Sequence, residues 1–397
     1  MLTTIIIFVV VLGLIVFVHE LGHFFSARKL GIGVEEFGFG FPPRIAGIQK
    51  KKSSKEKNKW RIIWGGKTPP FTPETENQVI YSINWIPIGG FVKIKGEQGD
   101  KKDEADSFSS KPIWKRAIVL SAGVAMNFIF AFVLISIGFM IGTPNVLDEN
   151  LPNSAQVSEE KVQVIQVQEN SPAAEAGLEV GDIIISASGQ KINTTDDFTN
   201  IAKPSLNNEI SVVVSRTGEE SEYLLTPADL NENGEGTVGV WLVETGLVKY
   251  PWYLAIWQGI TTTLSIIWQI IIAFFEIIKN LIVSQSAGVD VAGPVGIAVL
   301  TGQVAKLGFI YLLNFTAIIS INLGIINFIP FPALDGGRVL FLIIEKIRGR
   351  AMKEKVEAAL NNIGFLVLIG LVLVVTFVDV SRFSDSIKGF FGNIFNF

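Results

Sequence analysis

The chain has 397 residues, 49% of them hydrophobic, and a mean hydropathy of +0.43, so it is long enough for two or three domains and too apolar to be soluble throughout. It has no cysteine, which excludes a disulfide framework and a thiolate metal site and leaves His, Asp and Glu as the only side chains to hold a zinc ion. The net charge of −4 conceals a division: residues 28–116 carry 18 Lys and Arg against 10 Asp and Glu, whereas residues 143–251 carry 5 against 18.

Basic loops stay on the cytoplasmic side of a membrane, so the first polar region is expected inside and the second outside. The basic region lacks interleaved aromatics for stacking bases, and no nucleic-acid partner is expected. Residues 1–27 read as the first transmembrane helix. They have neither a basic leader nor a small-residue cleavage site, so the helix is expected to be retained, with Arg28 and Lys29 anchoring its cytoplasmic end.

Inside this apolar run stands His19-Glu20-Leu21-Gly22-His23, an H-E-x-x-H motif. His19 and His23, four residues apart, leave one face of a helix, and two neutral imidazoles there can hold zinc. Glu20 lies within reach of a water activated by that metal and is the candidate general base. These are the only two histidines of the chain. As plain core residues in a bilayer, they and the carboxylate would cost on the order of several kcal/mol with nothing to offset it.

Residues 28–115 form the cytoplasmic region. The stretch Tyr81 to Glu97 alternates in hydrophobicity and is punctuated by glycine, which predicts short β-strands in a hairpin. Lys50 to Lys59 and Lys101 to Ser110 read as solvated, mobile loops. A second transmembrane helix covers 116–142, where Gly123 reads as a helix-packing position and Asn127 as a residue able to approach the active site.

Residues 160–243 form the acidic soluble region: a strand at 162–167, then Ser171-Pro172-Ala173-Ala174-Glu175-Ala176-Gly177-Leu178, Gly181-Asp182, a turn at 188–190, a short helix at 196–202 and two further strands. This α+β pattern resembles a PDZ domain. Such domains add a peptide as an extra strand; the alternative is a closed groove that only shields the membrane site.

Hydropathy alone makes residues 252–284 a span. If they spanned, the basic residues Lys346, Arg348, Arg350, Lys353 and Lys355 would fall outside, so an interfacial or re-entrant helix is expected instead. The third transmembrane segment is 307–342, broken by prolines and glycines in Asn327-Phe328-Ile329-Pro330-Phe331-Pro332-Ala333-Leu334-Asp335-Gly336-Gly337-Arg338, as unwound backbone beside a cavity would be. Asp335 is the only acid between Asp290 and Glu345. It falls at the depth of the histidines and is the candidate third ligand; the plainer alternative is a turn or N-cap aspartate. A fourth transmembrane helix at 362–380 leaves Ser381 to Phe397 outside as an amphipathic tail.

Taken together, H-E-x-x-H at 19–23, Gly-Phe-Gly-Phe-Pro at 38–42, Gly-Gly-Phe-Val-Lys-Ile-Lys-Gly-Glu at 89–97, Gly-Pro-Val-Gly-Ile at 293–297 and Asn-x-x-Pro-x-x-x-Leu-Asp-Gly at 327–336 resemble the site-2 protease family of intramembrane zinc metalloproteases, of the bacterial RseP type. The resemblance covers nearly the whole chain. It implies a polytopic α-helical membrane protein of four transmembrane helices, with a membrane-associated β-hairpin and an inserted extracytoplasmic PDZ domain, in the bacterial inner (cytoplasmic) membrane.

It also implies that Gly89, Gly90, Phe91 and Val92 belong to a membrane-dipping hairpin that presents substrate as an extended strand, and that Asn327 and Pro330 shape or bind near the active site. Its partners would be single-span transmembrane substrates, such as trimmed anti-sigma factors or signal-peptide remnants, an upstream site-1-type protease acting on the same substrates, and membrane lipid. Two departures stand out: one PDZ-like unit where some members have two, and a long basic insert from Lys50 to Asn77.

The expectation is a zinc-dependent intramembrane endopeptidase with His19, His23 and Asp335 on one Zn2+ and Glu20 as base. The alternatives are an inactive PDZ-bearing membrane scaffold, which an intact Glu20 disfavours, and a metal transporter, which would need a polar path across the membrane.

Overall fold

The structure, a computed structural model, describes residues 2–51, 59–66, 78–97, 99, 101, 103–147, 151–152, 154–168, 170–216, 218–230, 234–283 and 293–382. Most of the basic insert and of the tail from Ser381 lies outside these residues. The first part of the chain holds helix α1 (Leu2–Lys29), strands β1 (Val34–Lys51), β2 (Lys59–Trp64) and β3 (Ile80–Ile94), and helix α2 (Ile113–Ile141). Next come β4 (Thr143–Val146), β5 (Gln156–Val167), α3 (Pro172–Ala176), β6 (Ile183–Ala187), β7 (Gln190–Lys191), α4 (Thr195–Ala202), β8 (Ile210–Arg216), β9 (Glu219–Leu225) and β10 (Val240–Lys249). Helices α5 (Trp252–Ile282), α6 (Pro294–Leu307), α7 (Phe309–Phe328), α8 (Asp335–Arg348) and α9 (Glu354–Arg382) complete it. Two compact units result: residues 1–135 with 259–397, and residues 136–258.

In the first unit, the expected hairpin of short strands is instead a three-stranded antiparallel sheet, ordered β2-β1-β3, whose two main strands are long. Residues 36–39 of β1 are bracketed by β3 on both sides: Phe37 lies opposite Val92 and Tyr81, Gly38 opposite Phe91 and Ser82, and Phe39 opposite Gly90 and Ile83. Strand β3 therefore folds round β1 and leaves residues 90–94 at a sheet edge. Gly40 and Gly89, with φ of +82° and +80°, supply the bends that read in sequence as strand ends.

The sheet packs on α1 through aromatic contacts, with Phe37 5.4 Å from Phe17 and 4.7 Å from Phe24 between ring centroids. Residues 103–110 also differ from the expected mobile loop. The Gly33 amide donates to the Asp106 carbonyl at 2.8 Å and the Phe108 amide to the Lys95 carbonyl at 2.8 Å, and Phe108 is buried in the core beneath.

Five described helices are long and apolar enough to cross a membrane: Thr3–Lys29, Ile113–Ile141, Trp252–Ile277, Phe309–Phe328 and Glu354–Ser381. One of the five is α5, which runs unbroken for 31 residues; it is the segment whose hydropathy alone reads as a span. The expected segment 307–342 divides: α7 stops at Phe328, residues 329–334 turn around Pro330 and Pro332, and α8 starts at Asp335. Proline lacks an amide proton and its ring collides with the preceding turn, which accounts for the break. Helix α6, at 14 residues, is too short to register as a span, and the sequence reading passes over it.

The second unit is a sheet ordered β4-β10-β5-β6-β8-β9, with β7 on β6; it extends beyond the expected 160–243 at both ends, because β4 and the far half of β10 pair with each other. Its core gathers Val162, Val164, Ile184, Phe198, Val212 and Leu225. Ser171 caps α3, and Thr194 with Asp197 forms a capping box on α4, each satisfying amides that a helix start leaves open. Burial alone would raise the Asp182 carboxyl. Arg216 donates to both its oxygens at 2.7 and 2.8 Å, and with the Glu179 amide holds it below the ordinary carboxylate range.

Candidate metal centre

Helix α1 turns His19 and His23 toward α2 and α8. Both rings are buried, 5% and 7% exposed. His19 Nε2 lies 3.0 Å and His23 Nε2 3.3 Å from the same oxygen, Asp335 Oδ2, and the two nitrogens are 3.2 Å apart. Bonds of about 2.0–2.1 Å at tetrahedral angles place the donors of a zinc ion roughly 3.3 Å from one another. The three donor atoms have that spacing, and the group is the one His, Asp and Glu cluster among the described residues close enough to hold a metal ion.

Helix α2 orients both rings. His23 Nδ1–H donates to the Val119 carbonyl at 2.8 Å, which leaves Nε2 with its lone pair toward the shared point. The Asn127 amide lies 3.3 Å from His19 Nδ1 and its Oδ1 is buried without a hydrogen-bond partner. The amide oxygen and nitrogen are nearly interchangeable in shape. Turned end for end, the amide sets Oδ1 to accept from His19 Nδ1–H and directs His19 Nε2 to the same point. Ser320 on α7 donates to the Asn127 carbonyl at 2.9 Å and ties this arrangement to a third helix.

Small residues bring these helices together. A Cβ on Gly22 would stand 2.2 Å from the Ala122 carbonyl oxygen, so α1 and α2 touch backbone to backbone. A Cβ on Gly123 would stand 2.5 Å from His23 Nε2 and 2.7 Å from His19 Nε2, in the space a shared ion needs. Sequence reasoning assigned Gly123 to packing alone; its one available signal is the match of small residues at 22 and 122–123 on the two helices. Gly123→Ala is expected to weaken zinc retention by about tenfold or more, the scale of disturbing a ligand's surroundings. Dialysis of the purified protein against graded chelator measures this, and wild-type retention would show that the wall yields.

Asp335 is delivered by an unusually close turn. A Cβ on Gly336 would meet the Phe328 carbonyl oxygen at 2.2 Å, one on Gly337 the Phe331 oxygen at 2.1 Å, and one on Gly364 of α9 the Pro332 oxygen at 2.4 Å. Only glycine lets α8 and α9 close on residues 328–332. Ala333 is held at φ +76°, a costly conformation for a residue with a Cβ, with its amide donating to Asn361 Oδ1 at 3.1 Å. Asp335 opens α8 but makes no capping contact; the cap position is Leu334. Its carboxylate faces the imidazoles instead.

Glu20, half-buried, has the main-chain amide of Val92 against its carboxylate. Gly89 and Gly90 lie directly on α1, where added Cβ atoms would be 2.5 Å from Val16 and 3.1 Å from Phe17. Phe91 and Val92 are half-buried. The structure thus brings 89–92 to the helix that carries Glu20. Asn327, half-buried at the end of α7, makes no side-chain hydrogen bond among the described residues, and Pro330 is exposed in the turn ahead of Asp335. Neither joins the donor group.

Residues 7–64 and 58–371 match the profile of peptidase family M50. The chain belongs to peptidase family M50. A relative from Clostridium perfringens (strain 13 / Type A), which bears a zinc-metalloprotease name, is 35% identical over 367 residues, 92% of this chain and 95% of its own. The regulator of sigma-W protease RasP of Bacillus subtilis (strain 168) is 31% identical over 464 residues, 96% of this chain and 98% of that protein. Among solved structures, the PDZ domain of the SdrC-like protein of Listeria monocytogenes covers 22% of this chain and 92% of its own, with 18% identity and a TM-score of 0.21. This M50 chain is a multi-pass membrane protein and a zinc-dependent metalloendopeptidase of regulated intramembrane proteolysis.

Proposed function

We propose that His19, His23 and Asp335 are the zinc ligands of this M50 peptidase and that Glu20 is its general base. The observation that carries the reading is the meeting of three donor atoms at 3.0–3.3 Å beside a carboxylate. Bound zinc supplies a Lewis acid that polarises the scissile carbonyl and makes water acidic enough to react. Glu20 takes a proton from the attacking water as its oxygen bonds to the carbonyl carbon, then returns it to the nitrogen as the C–N bond breaks. His23 is held by Val119 and His19 by Asn127 throughout.

The substrates are single-span membrane proteins, such as anti-sigma factors or signal-peptide remnants, shortened first by a site-1-type protease. A helix hides its carbonyls in hydrogen bonds, so the scissile segment must unwind. The edge of β3 at residues 90–94, beside Glu20, offers the backbone groups that would hold it extended. Asn327 and Pro330 flank the path to Asp335.

The charge division supports a cytoplasmic sheet and an outer acidic domain of PDZ type, which excludes untrimmed substrates by size, in the bacterial inner membrane. In α5 the polar residues Gln258, Thr262, Ser265, Gln269 and Glu276 recur at intervals of three, four and seven and form one stripe. That pattern suits a helix lying in the lipid interface, with four helices spanning.

The test is the purified protein in detergent with a tagged single-span substrate. Cleavage is expected with zinc bound, loss after chelation, and recovery on adding zinc back. Unchanged cleavage by the stripped protein would end the reading, and an intact substrate alongside zinc-loaded protein would favour the scaffold.

A further inference from the structure

The two runs around the site, 89–97 and 335–338, are joined by a contact that the roles above leave unused. Arg338, one turn after Asp335 on α8, donates through Nη1 to the Glu97 carboxylate and through Nη2 to the Glu97 main-chain carbonyl at 2.9 Å. The side chains are 22% and 25% exposed. Because the fork grips a carboxylate and a backbone oxygen together, it fixes where the chain leaves β3 and does more than pair two charges.

The other end of the same strand is fixed by close approach, with Gly89 on Val16 and Gly90 on Phe17. Residues 90–94 are thus held at one end by α1, which carries His19, Glu20 and His23, and at the other by α8, which carries Asp335. We propose that Arg338 is a positioning residue that sets the register of this edge strand against the donor group, and so selects which peptide bond of an extended substrate is cut.

The inference rests on residues 90–94 being the substrate edge. A strand advances about 3.3 Å per residue and its side chains alternate faces. A released strand end therefore shifts the presented bond by more than the tolerance of a reacting pair, which must sit about 3–3.5 Å apart.

Arg338→Lys keeps the charge and loses the fork. It is expected to lower kcat about tenfold or more with a smaller change in KM, to spread the products over neighbouring bonds by mass spectrometry, and to keep wild-type zinc content and thermal melting. Glu97→Gln retains the main-chain carbonyl and a side-chain acceptor, and is expected to cut mainly at the wild-type bond.

Cleavage by Arg338→Lys at the wild-type bond with wild-type constants would overturn the clamp, as would a loss of activity that tracks loss of zinc or melting temperature. A wild-type protein that leaves the substrate intact would instead overturn the proteolytic reading itself, which keeps the two failures apart.

Discussion

Glu20→Gln is expected to abolish cleavage while zinc stays bound. The substitution keeps the size of the side chain and its place against the Val92 amide, and it leaves His19, His23 and Asp335 untouched. What it removes is a group able to accept a proton from water and return it to the departing amine. General acid–base catalysis is worth about 10²–10⁴ in rate, so residual turnover should fall to roughly a thousandth of wild type or below the limit of detection. Parallel measurement of cleavage and metal content decides the matter: full activity with Gln at position 20 would remove Glu20 from the mechanism.

Asp335→Ala is expected to lose the metal and the activity together. The oxygen removed is the point on which both imidazole nitrogens converge, and two neutral donors on one helix remain. The fall in zinc affinity should exceed the ~10–100-fold that follows from losing only a ligand's outer hydrogen-bond partner. Equilibrium dialysis with competing chelator reads it directly. A variant that binds zinc as tightly as wild type would mean that another residue completes the site.

The donor residues could be singled out in the sequence because each stands out locally: two histidines at helical spacing in an apolar run, and one acid in a long apolar stretch. Several neighbouring features left no such trace. Gly123 carries no functional group, and its importance lies in what a Cβ would strike. The pairing of Arg338 with Glu97 spans 241 residues, beyond any local pattern. The wrapping of β3 round β1 depends on bends at Gly40 and Gly89, and a glycine reads equally as a strand end. Helix α5 shows a conflict between two sequence signals, since hydropathy and length favour a span whereas charge balance and a polar stripe favour the interface.

The separation of 316 residues between His19 and Asp335 also bears on when the proposed metal site can form. During synthesis the two imidazoles enter the membrane early, whereas the carboxylate leaves the ribosome roughly 15–60 s later at ordinary elongation rates of ~5–20 residues per second. Through that interval the nascent chain has an incomplete site and must share the bilayer with intact single-span proteins. With His19, His23 and Asp335 as the proposed ligands, the donor group is incomplete until Asp335 has been made, and the membrane proteins around the growing chain meet no assembled site before then.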